Sequence, residues 1–438
     1  MLEWLVSATL MKRDFWKGRA QQIKRRNRPM RGDPNALEVV LQTGGETFGE
    51  SVFDARSFSF DIAWPNNRPL ETAPQLNGEE LARLSDLLLK AAKRTLEPFA
   101  DKRVGFLLSG GVDSSVCLYL IKQAFPSCDV KAYHTDWGIP ERSEIRYAET
   151  AAKLANVPLR VVDTSAEAQI PHIDDALSGI KTISYSAVPV YMAFRAMVED
   201  GMDVGVNALG LDELMAGYPI HQLFYARSRL NVVPYFRRLE RMRYYRAASL
   251  RWGTDKAWLL RIVAPRSSTR YVTQSTVDLG TVYEEKVKAY SLWNTIHNWL
   301  LNAMIHNFAP LMSRAAAANG LKLLFPYIDQ QLMDRCLSYS PKAKVNKAPI
   351  RALMRTRFGF PEELASRGEK WGSKIGWGGT HLPYVQSRKY LDAVMPKSQS
   401  AEEWFVSPPK DLYSEIHDRQ NPVAFDMALF LKILELTT

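Results

Sequence analysis

Apolar residues recur every three or four positions in NGEELARLSDLLLKAAKRTLEPF, which predicts an amphipathic helix capped near Asn77. Beyond it the period changes. RVGFLLS, SSVCLYLIKQAF, DVKAYHTD, SEIRYAETAAKLANV and PLRVVDT alternate short apolar, β-branched runs with helical repeats, and MDVGVNALG supplies one more strand. This alternation predicts an α/β fold with a parallel sheet covered on both faces. After Tyr218 the pattern is helical almost to the end, an α-rich layer for that sheet. Before Asn77 the signal is weaker. Residues 1 to about 35 are basic and irregular, and ALEVVLQTGGETFGESVFDARSFSFDIAW gives alternating runs broken at Gly44 and Gly45, which predicts a β-hairpin. The chain therefore divides into a small, basic, β-containing N-terminal region, 1–76, and a main domain, 77–438.

Composition narrows the class. At 438 residues and 46% hydrophobic, the chain can bury a large core, and no apolar run is long enough to span a bilayer. Cys117, Cys128 and Cys336 form neither a CxxC pair nor a metal-ligand spacing, which fits a reducing cytoplasm and argues against a disulfide framework. The net charge of +10 gathers at Lys12 to Arg31 and in YFRRLERMRYYRAASLRW, Tyr235 to Trp252. Such patches attract nucleic acid or polyphosphate, but here the arginines alternate with apolar positions at helical spacing, which favours a solvated helix face. The nucleic-acid reading remains as a rival.

Chemistry enters with LLSGGVDSSV. Leu108, Ser109, Gly110 and Gly111 follow a buried strand and precede a helix, so backbone amides and the helix N-terminus converge on one point suited to an anion. Ser114 and Ser115 add hydroxyls, and Asp113 offers a carboxylate of the kind Mg²⁺ takes. The turn lacks the lysine of GxxxxGK[ST], so cleavage between the β and γ phosphates is not implied.

SGGVDSS resembles the signature of the PP-loop ATP pyrophosphatases, which have a parallel-sheet (HUP-like, Rossmann-like) fold and cleave ATP between its α and β phosphates. Three downstream stretches resemble the asparagine synthetase and β-lactam synthetase superfamily in particular. GLDELMAGY is similar to its G-x-D-E-x-x-x-G-Y segment, RAAAANGLKLLFPYIDQQLMD to its R-x-x-x-A-x-G run with a P-F-L-D turn, and KAPIR to its K-x-x-L-R. The resemblance spans roughly residues 78–430 and includes the acidic helix start at Glu144. It implies ATP and Mg²⁺ as cofactors, Asp113 and Asp212 as metal carboxylates, and Lys347 as the catalytic cation acting on the α-phosphate and the tetrahedral intermediate. It further implies nucleotide contacts at Leu108 to Gly111, Ser114, Ser115, Thr135, Ala208 and Gly210, with Lys374, in the loop EKWGSKIGWGG, a further phosphate contact.

The departures bear on the substrate. Relatives carry a glutamate or tyrosine where this chain has Leu209, so the proton acceptor is expected elsewhere, with Tyr185, Tyr191 and Glu213 the candidates. Tyr185 stands where aspartate-using members often place an arginine, so aspartate specificity is expected to be lost. Leu2 follows Met1 where the family's nucleophilic cysteine would be, and few residues precede the SGG turn, so glutamine is not expected as the nitrogen donor. The expectation is an AMP-forming ligase joining a small-molecule or peptide carboxylate to ammonia or an amine. An intramolecular cyclase, a nucleic-acid-modifying PP-loop enzyme and an inactive regulatory subunit are the alternatives. His134, in KAYHTDW, is expected to be a satisfied core histidine.

Overall fold

The computed structural model describes residues 33–43, 52–53, 77–140, 143–218, 221, 275, 297, 299–301, 303–367, 387–397, 401–406, 408–419 and 421–437. Among them, five strands form one sheet: β1 Val104–Leu107, β2 Val130–Asp136, β3 Leu159–Asp163, β4 Val204–Val206 and β5 Lys322–Leu324. The order is β3-β2-β1-β4-β5 and every pairing is parallel. Val104 of β1 lies opposite Val130 of β2 on one side and Val204 of β4 on the other. The longer helices are α1 Pro34–Thr43, α2 Gly78–Leu96, α3 Val112–Ala124, α4 Ile145–Leu154, α5 Ile173–Ile180, α6 Ala187–Glu199, α7 Ala309–Ala318, α8 Gln330–Ser338, α9 Ala348–Thr356 and α10 Pro422–Thr437.

Because successive strand residues point to opposite faces, the sheet separates two apolar cores. Val104, Phe106, Val130, Ala132 and Val206 face one core, which α2, α3, α4 and α9 complete with residues such as Leu88, Val116, Ala151 and Leu353. Tyr133 and Val162 face the other, shared with Leu177 of α5, Phe194 of α6, Ala315 of α7 and Phe430 of α10. This is the parallel sheet covered on both faces that the alternation predicts. α2 matches its sequence reading closely. The Asn77 side chain accepts a hydrogen bond from Glu80 N at 2.9 Å, and Leu84, Leu88, Ala91, Ala92 and Leu96 form the buried stripe.

Two elements depart from the sequence reading. Residues 36–43, expected as half of a hairpin, lie in the helix α1. Leu37, Val40 and Leu41 sit at i, i+3 and i+4 and are buried in the same core as α10, where Phe53 stacks on Phe430 at 5.5 Å between ring centroids. Except for Val52 and Phe53, the rest of the expected hairpin lies outside the described residues. Within RAAAANGLKLLFPYIDQQLMD, where the pattern after Tyr218 reads as helical, Lys322–Leu324 is the edge strand β5. No helix among the described residues is long and apolar enough to cross a membrane. All three cysteines are free and buried.

Candidate functional site

The strand order reverses at β1: β2 and β3 lie on one side of it, β4 and β5 on the other. In a parallel sheet that arrangement opens a crevice beyond the C-terminal ends of the two central strands. The turn after β1 is Leu108 to Gly111, and the one after β4 is Asn207 to Gly210. Between them lies a cavity of about 270 Å³. Of the residues expected from sequence, Leu108, Ser109, Asp113, Ser114 and Thr135 line it from the β1 and β2 side. Ala208, Leu209, Gly210, Asp212 and Glu213 line it from the β4 side.

Each turn is shaped by glycine. Gly110 has φ +67, and a Cβ there would fall 2.4 Å from Ala148 N, so only glycine lets α4 lie against the turn. Beyond it Ser109 Oγ and Ser114 Oγ are 3.0 Å apart, and α3 starts with Asp113 in its first turn. Ser115 is buried with no hydrogen-bond partner for its hydroxyl, and it does not line the cavity. Gly110 and Gly111, also expected as nucleotide contacts, do not line the cavity.

The four motif stretches meet at Asp113. The Tyr327 hydroxyl, from the FPYID turn, donates to Asp113 O at 3.0 Å, and Lys347 Nζ, from KAPIR, donates to Asp113 Oδ1 at 2.6 Å. The same ammonium lies 2.5 Å from Asp212 Oδ1, in GLDELMAGY. Burial opposes the charge on Lys347, but Asp113 and Asp212 outweigh it and raise its pKa, so one buried ammonium joins two carboxylates. Reaching that position takes unusual backbone. Ala216, Asn346 and Lys347 all have positive φ, at 50, 60 and 57. They are locked together, with Asn346 N donating to Ala216 O at 2.9 Å and Lys347 N to Met215 O at 3.1 Å. Residues held in this region cost about 1–3 kcal/mol each, a strain that collects at working sites.

Beside this triad, Glu213 is 1% exposed and the Tyr218 hydroxyl donates to its Oε1 at 2.6 Å, while Oε2 has no hydrogen-bond partner. Burial and then the neighbouring Asp212 charge push its pKa up to about 8. Its pair partner Tyr218 also lines the cavity, a role the sequence reading did not give it. Tyr185 does not line the cavity. It packs near Trp137 at 6.5 Å, and burial pushes its hydroxyl up to about 12. Tyr191 is buried, and its neighbour Val190 reaches the cavity instead. His134 is a core residue, its Nδ1 2.9 Å from Leu108 O and its pKa lowered by burial. Lys374 and the arginine-rich stretch 235–252 lie outside the described residues.

Asp113 and Asp212 converge on one cationic position, filled here by the Lys347 ammonium itself, and their oxygens are the donors Mg²⁺ prefers. Among the described residues no cluster of three or more His, Cys, Asp or Glu forms a fuller metal site, so phosphate oxygens and water would complete any Mg²⁺ shell.

Residues 83–414 match the Asparagine synthase family. The chain belongs to that family. It is 32% identical over 127 residues to a putative asparagine synthetase [glutamine-hydrolyzing] of Methanocaldococcus jannaschii, covering 28% of this chain and 23% of that protein. It is 24% identical over 291 residues to an asparagine synthetase [glutamine-hydrolyzing] of Bacillus subtilis, covering 58% of this chain and 43% of that protein. The matched stretches thus span less than half the length of either relative. Among solved structures, an NH3-dependent NAD synthetase from Campylobacter jejuni aligns with a TM-score of 0.24 at 16% identity, over 33% of this chain and 62% of that one.

Proposed function

We propose that this chain is an ATP-dependent carbon–nitrogen ligase. A substrate carboxylate takes AMP from ATP with release of pyrophosphate, and ammonia or an amine then displaces AMP to form an amide. The observation that carries this reading is the Lys347 ammonium held between Asp113 and Asp212 at the mouth of the SGG turn. Family membership supports it, since the two relatives described above are named as asparagine synthetases.

The chemistry follows from the residues present. The SGG turn and the start of α3 offer backbone N–H groups, and Ser109 and Ser114 hydroxyls, to phosphate oxygens. Asp113 and Asp212 would hold Mg²⁺ once the Lys347 ammonium between them turns toward the phosphates, and the metal when bound would neutralise the pyrophosphate leaving group. Lys347 carries a positive charge to where negative charge develops on the α-phosphate, a stabilisation worth most in a water-poor site. Leu108, Thr135, Ala208 and Gly210, which line the same cavity, would border the nucleoside. Leu209 gives the acceptor side an apolar wall, which suits an amine arriving uncharged. Glu213, paired with Tyr218, lines the same cavity and is a carboxyl able to exchange a proton near neutral pH.

The test is product analysis with ATP, Mg²⁺, a panel of small-molecule and peptide carboxylates, and ¹⁵N-ammonium, amines or ¹⁵N-glutamine. Carboxylate-dependent AMP and pyrophosphate, with label entering from ammonium or an amine, is the expected result. ADP and phosphate as the only nucleotide products would sink the reading. Label from glutamine with the purified chain alone would overturn the nitrogen assignment, and an amide formed with no external nitrogen would mark a cyclase.

A further inference from the structure

The peptide between Gly110 and Gly111 joins two residues without side chains, so nothing local resists its rotation. Its orientation matters if the turn binds phosphate, because the C=O of Gly110 and the N–H of Gly111 share one planar trans unit and point in opposite directions. Rotating the unit exchanges a donor for an acceptor at the anion.

One side chain holds it. Arg367 donates from Nη1 to Gly110 O at 2.5 Å and from Nη2 to Glu144 Oε1. Its guanidinium also lies over the Tyr147 ring, 4.0 Å from the centroid. Arg367 is buried, 9% exposed, on the segment that follows α9 and the short helix Glu362–Ala365. Glu144 stands at the N-cap of α4, yet its side chain makes no capping hydrogen bond and pairs with Arg367 instead. Helix α4 is the one Gly110 touches, through Ala148. The arginine therefore ties three chain segments around one carbonyl.

We propose that Arg367 is a positioning residue for the phosphate-binding turn. It fixes the Gly110–Gly111 peptide so that the Gly111 N–H points away from the arginine, and Glu144 holds the guanidinium fork in register. The assignment rests on the proposal that the SGG turn binds the phosphates of ATP. A planar fork suits the task, since two partners are met by two nitrogens in fixed relation, which one ammonium does not reproduce.

The test is isothermal titration of the full chain with inorganic pyrophosphate and with ATP, both with Mg²⁺, and with adenosine. Arg367→Ala and Arg367→Lys are both expected to weaken pyrophosphate and ATP about tenfold to a hundredfold, the worth of a charge-assisted hydrogen bond, and to leave adenosine unchanged. Glu144→Gln separates positioning from plain charge. Freed of its carboxylate, an arginine acting as a cation would bind pyrophosphate more tightly, whereas a loosened positioning arginine binds it more weakly. Weaker binding in Glu144→Gln and Arg367→Lys supports the proposal even if Arg367→Ala does not fold. Tighter binding in Glu144→Gln, or wild-type affinity in Arg367→Lys, overturns it. If wild type binds neither pyrophosphate nor ATP, the nucleotide reading itself fails and takes the proposal with it.

Discussion

At the scale of single residues the site turns on where one ammonium sits, and Gly217 decides that. A Cβ at Gly217 would lie 2.0 Å from Asp212 Oδ1 and 2.1 Å from Lys347 Cε, both flexible side-chain atoms rather than backbone. Gly217→Ala should therefore push the two side chains apart and leave the fold intact. The expected outcome is a loss of roughly a hundredfold in kcat, the cost of misplacing a catalytic group by about an ångström, with thermal melting close to wild type. An unchanged rate would show that the triad is not needed. Lys347→Ala should lower kcat far more than it raises KM for ATP, since an interaction made in the transition state appears in kcat. Sequence showed Gly217 as a motif letter and assigned Lys347 by resemblance. What it did not carry was the reason for the glycine, which exists only once Lys347, 130 positions away in the chain, crosses it.

At the scale of elements, legibility followed the length of the pattern. α2 was readable because five buried apolar positions repeat through nineteen residues behind a capping asparagine. β5 was not, because its three residues are shorter than any period and the strand is defined by its pairing with Val204 to Val206. α1 was misread because Val39 and Val40 carry strand propensity, while packing of Leu37, Val40 and Leu41 against the C-terminal helix decides the outcome. The SGG turn was legible as a glycine turn between a strand and a helix, but not the reason that α4 presses on it. That contact gives a prediction. Gly110→Ala places a side chain at φ +67 and 2.4 Å from a backbone nitrogen of α4, where neither neighbour yields cheaply. Destabilisation of about 2 kcal/mol or more is expected, together with loss of pyrophosphate binding. Denaturant titration measures the first, and a wild-type midpoint would show that α4 can move aside.

At the scale of the whole molecule, the alternation of strands and helices foretold a sheet with a core on each face, whereas no pattern foretold the charge hidden beside one of them. Lys344 is 1% exposed, with Nζ donating to Cys336 O at 3.1 Å and lying 3.0 Å from His297 Nε2. Burial pushes its pKa down to about 7, and burial followed by the Lys344 charge pushes His221 down to about 3. His297, packed edge-on to His221 at 5.3 Å, is also lowered by burial. In each case the unfolded chain binds the proton more readily than the folded one, so acid favours unfolding and stability rises with pH across the gap. For His221 the gap runs from about 3 to 6.5, and for Lys344 from about 7 to 10.5. Two groups act in the opposite direction, because the unfolded chain loses a proton the folded one keeps: Glu213, raised to about 8, up to about pH 8, and the Cys336 thiol, raised to about 12, above about pH 9. The rise due to Lys344 is thus clearest between pH 8 and 9. Urea titrations across that interval should show unfolding free energy increasing by up to about 1.4 kcal/mol per pH unit, and Lys344→Met should abolish the increase while raising stability at pH 7. A variant that kept the wild-type slope would place the titrating group elsewhere. Because Lys344 lies three residues before Lys347, the same measurement on Lys347→Met separates the two: that lysine's pKa is raised, so its removal should leave the rise in place.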